Sequence, residues 1–174
     1  TSCPWLLHEP THGACTTHGN LDIAAFLALA HEYGVRVIVR VGPVVGAPFD
    51  GGGLPAWLGS HDDVHVREHD PAFLGLVSTY FKELLPSIEN AQANRDTGGA
   101  VIGVQIEDDW SCGSTEHGPV YLSALIRLVR ERGITVPLLM SNGFWQELDE
   151  PIEVWSGWDN LTANLRQVNH VQPS

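Results

Sequence analysis

The chain has 174 residues, 43% of them hydrophobic and 17% charged, which is the composition of a folded domain with a real core and excludes disordered and collagen-like classes. Lysine and arginine number 9 against 21 aspartates and glutamates, giving a formal charge of -12; such a surface repels nucleic acid and anionic lipid, so neither is expected as a partner. No run of about 18 apolar residues is present to span a bilayer, no leader-like pattern opens the chain, and Cys3, Cys15 and Cys112 lack the CxxC spacing of a zinc knuckle.

In chain order, an apolar strand precedes HEPTH. Asn20 is then a helix cap for LDIAAFLALAHEY, whose Ile23, Phe26, Leu27 and Ala30 fall at helical spacing, and Gly34 supplies the left-handed stop. VRVIVRV (35–41) is rich in β-branched residues and reads as a strand. A turn-forming stretch, GPVVGAPFDGGGLP, leads to Asp70-Pro71, a cap with proline at the first helical position, and a helix through FLGLVSTYFKELL. GGAVIGVQI (98–106) is the next strand, PVYLSALIRLVRERG (119–133) a helix, VPLLM (136–140) and IEVW (152–155) strands, and NLTANLRQVNHV (160–171) a last helix.

Continuous apolar strands without polar alternation suit parallel strands buried on both faces, joined by crossovers of a dozen or more residues. The class is therefore α/β. A doubly wound sheet would favour a GxGxxG fingerprint, and the GGG at 51–53 is not one. Polar and aromatic residues instead gather after every strand: His8 and Glu9, Phe49 and Asp50, Glu107 to Trp110, Ser141 and Asn142, Trp155 and Trp158. A (β/α)8 barrel keeps its active site at that end of its strands.

Three constellations carry possible chemistry. HEPTH has the letters of the zinc motif HExxH, but Pro10 would sit inside the required helix, so a loop is the better reading. HDDVHVREHD (61–70) could offer His61, Asp62, His65 and His69 to a metal, and is more simply a solvated loop ending in the Asp70 cap; no metal or other cofactor is expected. Ser141 lacks the GxSxG elbow of a nucleophilic serine. QIEDDW (105–110) is the strongest of the set. Strand alternation would put Gln105, Glu107 and Asp109 on one face and Asp108 on the other. Crowded carboxylates repel, and repulsion with partial desolvation raises the proton affinity of at least one, as a general acid needs. Nearby Trp110, Trp155 and Trp158 could stack on sugar rings.

In these segments the chain resembles glycoside hydrolase family 35, the β-galactosidase family. They are WLLHEP, GNLDIAAFLALAHEYGVRVIVRVGP, GGLPAWL, the DPAFL helix, GGAVIGVQIEDDW and ERGITVPLLMSNG, in the family's order and spacing over nearly the whole chain. The resemblance implies a partial (β/α)8 TIM barrel, residues 1–174 contributing roughly strands 2 to 6 and lacking the first strand and the last strands. It implies a carbohydrate substrate, the remainder of the barrel as the chain's own partner, and retaining hydrolysis of terminal β-linked galactose or a related sugar. Asp109 takes the position of the family's acid/base glutamate, and Asp108 that of its sugar-gripping asparagine. Glu107 and Trp110 stand beside them as candidate substrate contacts, Glu107 with a purely structural alternative. The segment that would carry the nucleophile lies past the end of this chain. Ser2, Val44 and Pro48 align with a tyrosine, a tyrosine and a glutamate of the family, and these changes leave a second reading open, a degenerate sugar-binding or structural relative.

Overall fold

The computed structural model describes residues 1–46, 48–110, 118–141, 148 and 150–154. The last predicted helix, Trp155, Trp158 and Asn142 lie outside them.

A one-turn helix, α1 (Trp5–His8), stands where a strand was expected to run into HEPTH. Only Thr1 to Cys3 are strand-like there. Helix α2 (Ile23–Glu32) is capped by Asp22, whose carboxylate accepts the Ala25 N–H at 2.9 Å, and not by Asn20, which lies in a single 3₁₀ turn over Gly19–Leu21. Ile23, Leu27 and Ala30 are buried, while Phe26, one step off that stripe, is exposed. Gly34 ends the helix as read, with a φ of 69°, and the Val35 N–H returns to the Ala30 carbonyl.

Strand β1 (Val37–Gly42) leads through 3₁₀ turns at Asp50–Gly53 and Ala56–Ser60 to α3 (Pro71–Asn90). Asp70 caps α3 as expected, accepting the Ala72 N–H at 2.8 Å. The helix continues through Pro86, beyond the predicted segment. Phe73, Val77, Tyr80, Phe81, Leu84, Leu85 and Ile88 form its buried stripe, and full burial of each such side chain contributes about 1.5–3 kcal/mol. The rest of the described chain is β2 (Val101–Asp108), α4 (Gly118–Arg130), β3 (Leu138–Ser141) and β4 (Ile152–Val154).

The four strands form one sheet in the order β1-β2-β3-β4, all parallel. Thr1–Cys3 lies alongside β1 on the other side: Ser2 bridges Arg40, the Cys3 N–H donates to the Arg40 carbonyl at 2.9 Å and the Arg40 N–H to the Thr1 carbonyl at 2.8 Å. Neighbours in the sheet are thus neighbours in sequence, and the order never reverses as it does at the switch point of a doubly wound sheet. Helix contacts also run in sequence, α2 to α3 and α3 to α4. One parallel sheet and one consecutive layer of helices, sharing a single apolar core, make this part of an α/β barrel wall.

The expectation of strands buried on both faces holds for β2 from Gly103 to Asp108. It fails in β1, where Val37, Val39 and Val41 on the helical side are buried but Ile38 is 45% exposed, and at Ile152 of β4, which is 55% exposed. Ile38 and Leu139 share the second face, since a Cβ on Gly103 would touch both, and Ile152 pairs with Leu139. At Ile38 and Ile152 that face lies uncovered by the described residues.

Gln92, fully buried between α3 and β2, ties the end of α3 to residues 133–136. Its Nε2 donates to the carbonyls of Glu89 and Gly133 at 3.1 and 2.9 Å, and its Oε1 accepts the N–H groups of Thr135 and Val136 at 2.6 and 3.0 Å.

Candidate active site

QIEDDW does end β2, but the alternation expected of it fails. Glu107 and Asp109 have φ angles of 54° and 45°, left-handed backbone that is uncommon for either residue type, and the β2–β3 register shifts between Gln105 and Asp108. The strand end is turned, and Gln105 meets Asp108 instead of sharing a face with Glu107: its Nε2 donates to the Glu107 carbonyl and to Asp108 Oδ1, each at 3.1 Å.

The three acids occupy three environments. Glu107 is fully buried. Its Oε2 accepts Arg67 Nη2 at 3.0 Å, and its Oε1 accepts the Tyr121 hydroxyl at 2.5 Å. Burial pushes its carboxyl above the ordinary range, opposed by the Arg67 charge and the Tyr121 hydrogen bond. The expected rise in proton affinity is therefore present, but desolvation causes it rather than mutual repulsion, and it falls on an acid sealed from solvent. Asp108 is 6% exposed. Its Oδ2 pairs with Arg40 Nη1 at 3.1 Å, and its Oδ1 accepts both Gln105 Nε2 and the Ser141 hydroxyl, the latter at 2.5 Å. Asp109 is exposed, and its backbone N–H donates to the Ser141 carbonyl at 3.1 Å.

Trp110 was expected to offer a stacking face to a sugar. It is 2% exposed and belongs to the apolar core, its ring centroid 5.4 Å from that of Tyr121. The ring is consumed by packing, the more frequent fate of a tryptophan. Its indole N–H is buried without a partner among the described residues.

HEPTH is a loop entered from α1, as Pro10 requires. Glu9 is buried there, accepting the Trp5 indole N–H at 2.7 Å and the Gly13 N–H at 2.8 Å. In HDDVHVREHD, Asp70 accepts the His65 N–H at 2.6 Å in addition to its capping bond. Among the described residues no group of three or more His, Cys, Asp or Glu is arranged to hold a metal.

Sequence reasoning missed Arg40, Arg67 and Tyr121. A signal for the arginines existed. Acids at the end of a buried strand need cations, because an unpaired buried charge is strongly unfavourable, and this chain has only 9 basic residues. Arg40 interrupts the apolar run VRVIVRV, where nothing but a partner would keep it.

The ends of adjacent parallel strands thus present an exposed carboxyl group backed by two closed ion-pair networks. This is the position at which barrel enzymes place their acids. A family model described as "Glycosyl hydrolases family 35" matches residues 1–167. The chain belongs to this family. Human beta-galactosidase-1-like protein 2 is 37% identical over 142 residues, spanning 82% of this chain and 22% of that protein. The beta-galactosidase of Felis catus is 40% identical over 110 residues, 63% of this chain and 16% of its own length. The chain therefore spans about a fifth of these relatives. Among solved structures, a GH5_18 protein from Streptomyces cattleya in complex with GlcNAc superposes with a TM-score of 0.57 at 17% identity, covering 80% of this chain and 34% of that one, a likeness of fold.

Proposed function

We propose that this chain supplies the proton-donating half of a β-galactosidase-like, retaining glycoside hydrolase site, with Asp109 as the general acid/base. The observation that carries the reading is that Asp109 is the one exposed carboxyl group of the three at the end of β2 in a family 35 chain. In a retaining reaction one carboxyl group protonates the departing glycosidic oxygen while a second, about 5 Å away, attacks the anomeric carbon; the first then deprotonates water to release the sugar. Glu107 and Asp108 are committed to Arg67, Tyr121, Arg40 and Ser141. The nucleophile is accordingly assigned to the remainder of the barrel, in which Thr1–Cys3 and β1 to β4 take the places of strands 2 to 6. Two carboxyl groups and water complete the proposed reaction.

The test is hydrolysis of aryl β-galactosides by the full-length protein and its Asp109→Asn variant. Loss of a general acid/base lowers the rate by about 10²-fold or more; equal, low rates in the two proteins would sink the catalytic role.

A second reading, a sugar-binding or structural relative without turnover, is favoured by Asp108. Both of its carboxylate oxygens accept bonds from within the protein, so this acid is engaged in holding Arg40, Gln105 and Ser141 together, a structural role that needs no turnover. Calorimetric binding of galactose without turnover by the full-length protein would support it over the first.

A further inference from the structure

We propose that Arg67 is a positioning residue that holds Asp109 in its reactive orientation by clamping the peptide group before it. The proposal rests on the acid/base reading of Asp109. Arg67 lies in the loop between β1 and α3, 40 positions before Glu107. Its Nη2 donates to Glu107 Oε2 at 3.0 Å and also to the main-chain carbonyl of Asp108 at 2.8 Å. That carbonyl belongs to the same planar unit as the Asp109 N–H, and the N–H donates to the Ser141 carbonyl at 3.1 Å. The Asp108–Asp109 peptide is thus held at both ends, by a loop arginine on one side and by β3 on the other.

The clamp matters because of what it holds. Asp109 follows with a φ of 45°, and Glu107, two residues earlier, has a φ of 54°. Left-handed backbone at non-glycine residues persists only where the surroundings over-determine it. Arg67 itself has a φ of 61°, and its Nε is buried with no partner among the described residues. Two departures from comfortable chemistry at one arginine, both serving its reach to Glu107 and the Asp108 carbonyl, indicate that the reach is what the loop is built to provide. Released from it, the peptide keeps only its bond to the Ser141 carbonyl and can tilt about that point, which shifts the Asp109 carboxyl from the place set for it. Displacement of a reacting group by about 1 Å is enough to slow chemistry about 10²-fold.

The alternative is that Arg67 only neutralises the buried Glu107 charge, and full-length Arg67→Met, Arg67→Lys and Arg67→Met/Glu107→Gln proteins separate the two. Arg67→Met is expected to lower kcat on an aryl β-galactoside by about tenfold or more, with KM within about threefold, and to speed amide hydrogen exchange across residues 107–110. Arg67→Lys, which keeps a donor, recovers part of both. The double variant, freed of the uncompensated charge, recovers melting temperature but neither kcat nor exchange protection. Introduced into an Asp109→Asn background, Arg67→Met costs no further rate, because the group it positions is gone. Full recovery of kcat and of exchange protection in the double variant, or wild-type values in Arg67→Met, would overturn the proposal. Should wild type and Asp109→Asn hydrolyse equally slowly, the acid/base reading fails by itself, and exchange in the double variant still decides the clamp.

Discussion

Gly46 lies against the acid cluster at the closest approach that any side chain would forbid. Its φ is 77°, and a Cβ built on it would overlap Asp108 Oδ2, the oxygen that pairs with Arg40. Gly46→Ala therefore either strains the loop backbone or pushes the carboxylate off its arginine. Each route is unfavourable by about 1–3 kcal/mol. Urea denaturation of the variant should show a midpoint lowered to match, and an unchanged midpoint would mean that Asp108 moves aside freely. The sequence marks Gly46 as part of a turn-forming stretch and says no more, because the group that demands a glycine there lies on the end of another strand. Asp109 was legible as a candidate from its place in QIEDDW. That Glu107 and Asp108 are closed off was not, since their partners Arg67, Tyr121, Arg40 and Ser141 come from four other segments.

The helix starts show how far local chemistry carries. Asp70-Pro71 combines a capping carboxylate with a residue that must begin a helix, and α3 begins there. Asn20 and Asp22 are both capping residue types, and Gly19, with a φ of 63°, lets the chain take a 3₁₀ turn first, so the cap falls to Asp22. Strands β1 to β4 were legible in type and order, each within a few residues of its observed bounds, whereas the strand expected before HEPTH is α1. The turn at the end of β2 was not, because it is imposed by cross-chain hydrogen bonds. The Asp70 cap also has a readable pH dependence. The His65 N–H, foremost, and the Ala72 N–H hold its carboxyl below the ordinary value of 3.8. A depressed folded-state value contributes stability above the unfolded value and loses it as pH falls through the folded one. Asp70→Ala should lower the melting temperature at pH 6, and the gap to wild type should narrow as pH drops below about 3.8; a gap constant from pH 6 to pH 3 would exclude the carboxylate as its source.

At the scale of the molecule, the barrel wall was legible because order, direction and helical crossovers all point the same way. Its open face was not, because an apolar strand reads alike whether or not a second wall covers it. Ile38, at 45%, and Ile152, at 55%, expose strand side chains on that face. Residues 1–174 produced alone should self-associate through it, and an Ile38→Thr/Ile152→Thr variant should sediment closer to a monomer. A wild-type chain that sediments as a monomer at every concentration would show the face to be satisfied some other way. Gln92 bears on a different matter, how freely the chain can vary. Its carboxamide makes two donor and two acceptor contacts on two stretches of main chain, the end of α3 and residues 133–136. Glutamate would lose both donors, asparagine falls a methylene short of the span, and leucine would remove the partner of the Glu89 carbonyl and of the Thr135 and Val136 N–H groups, leaving the Gly133 carbonyl to Arg95 alone. The side-chain alphabet thus holds one letter that fits position 92, so the path into β3 is written by a residue that touches neither the acids nor any sugar.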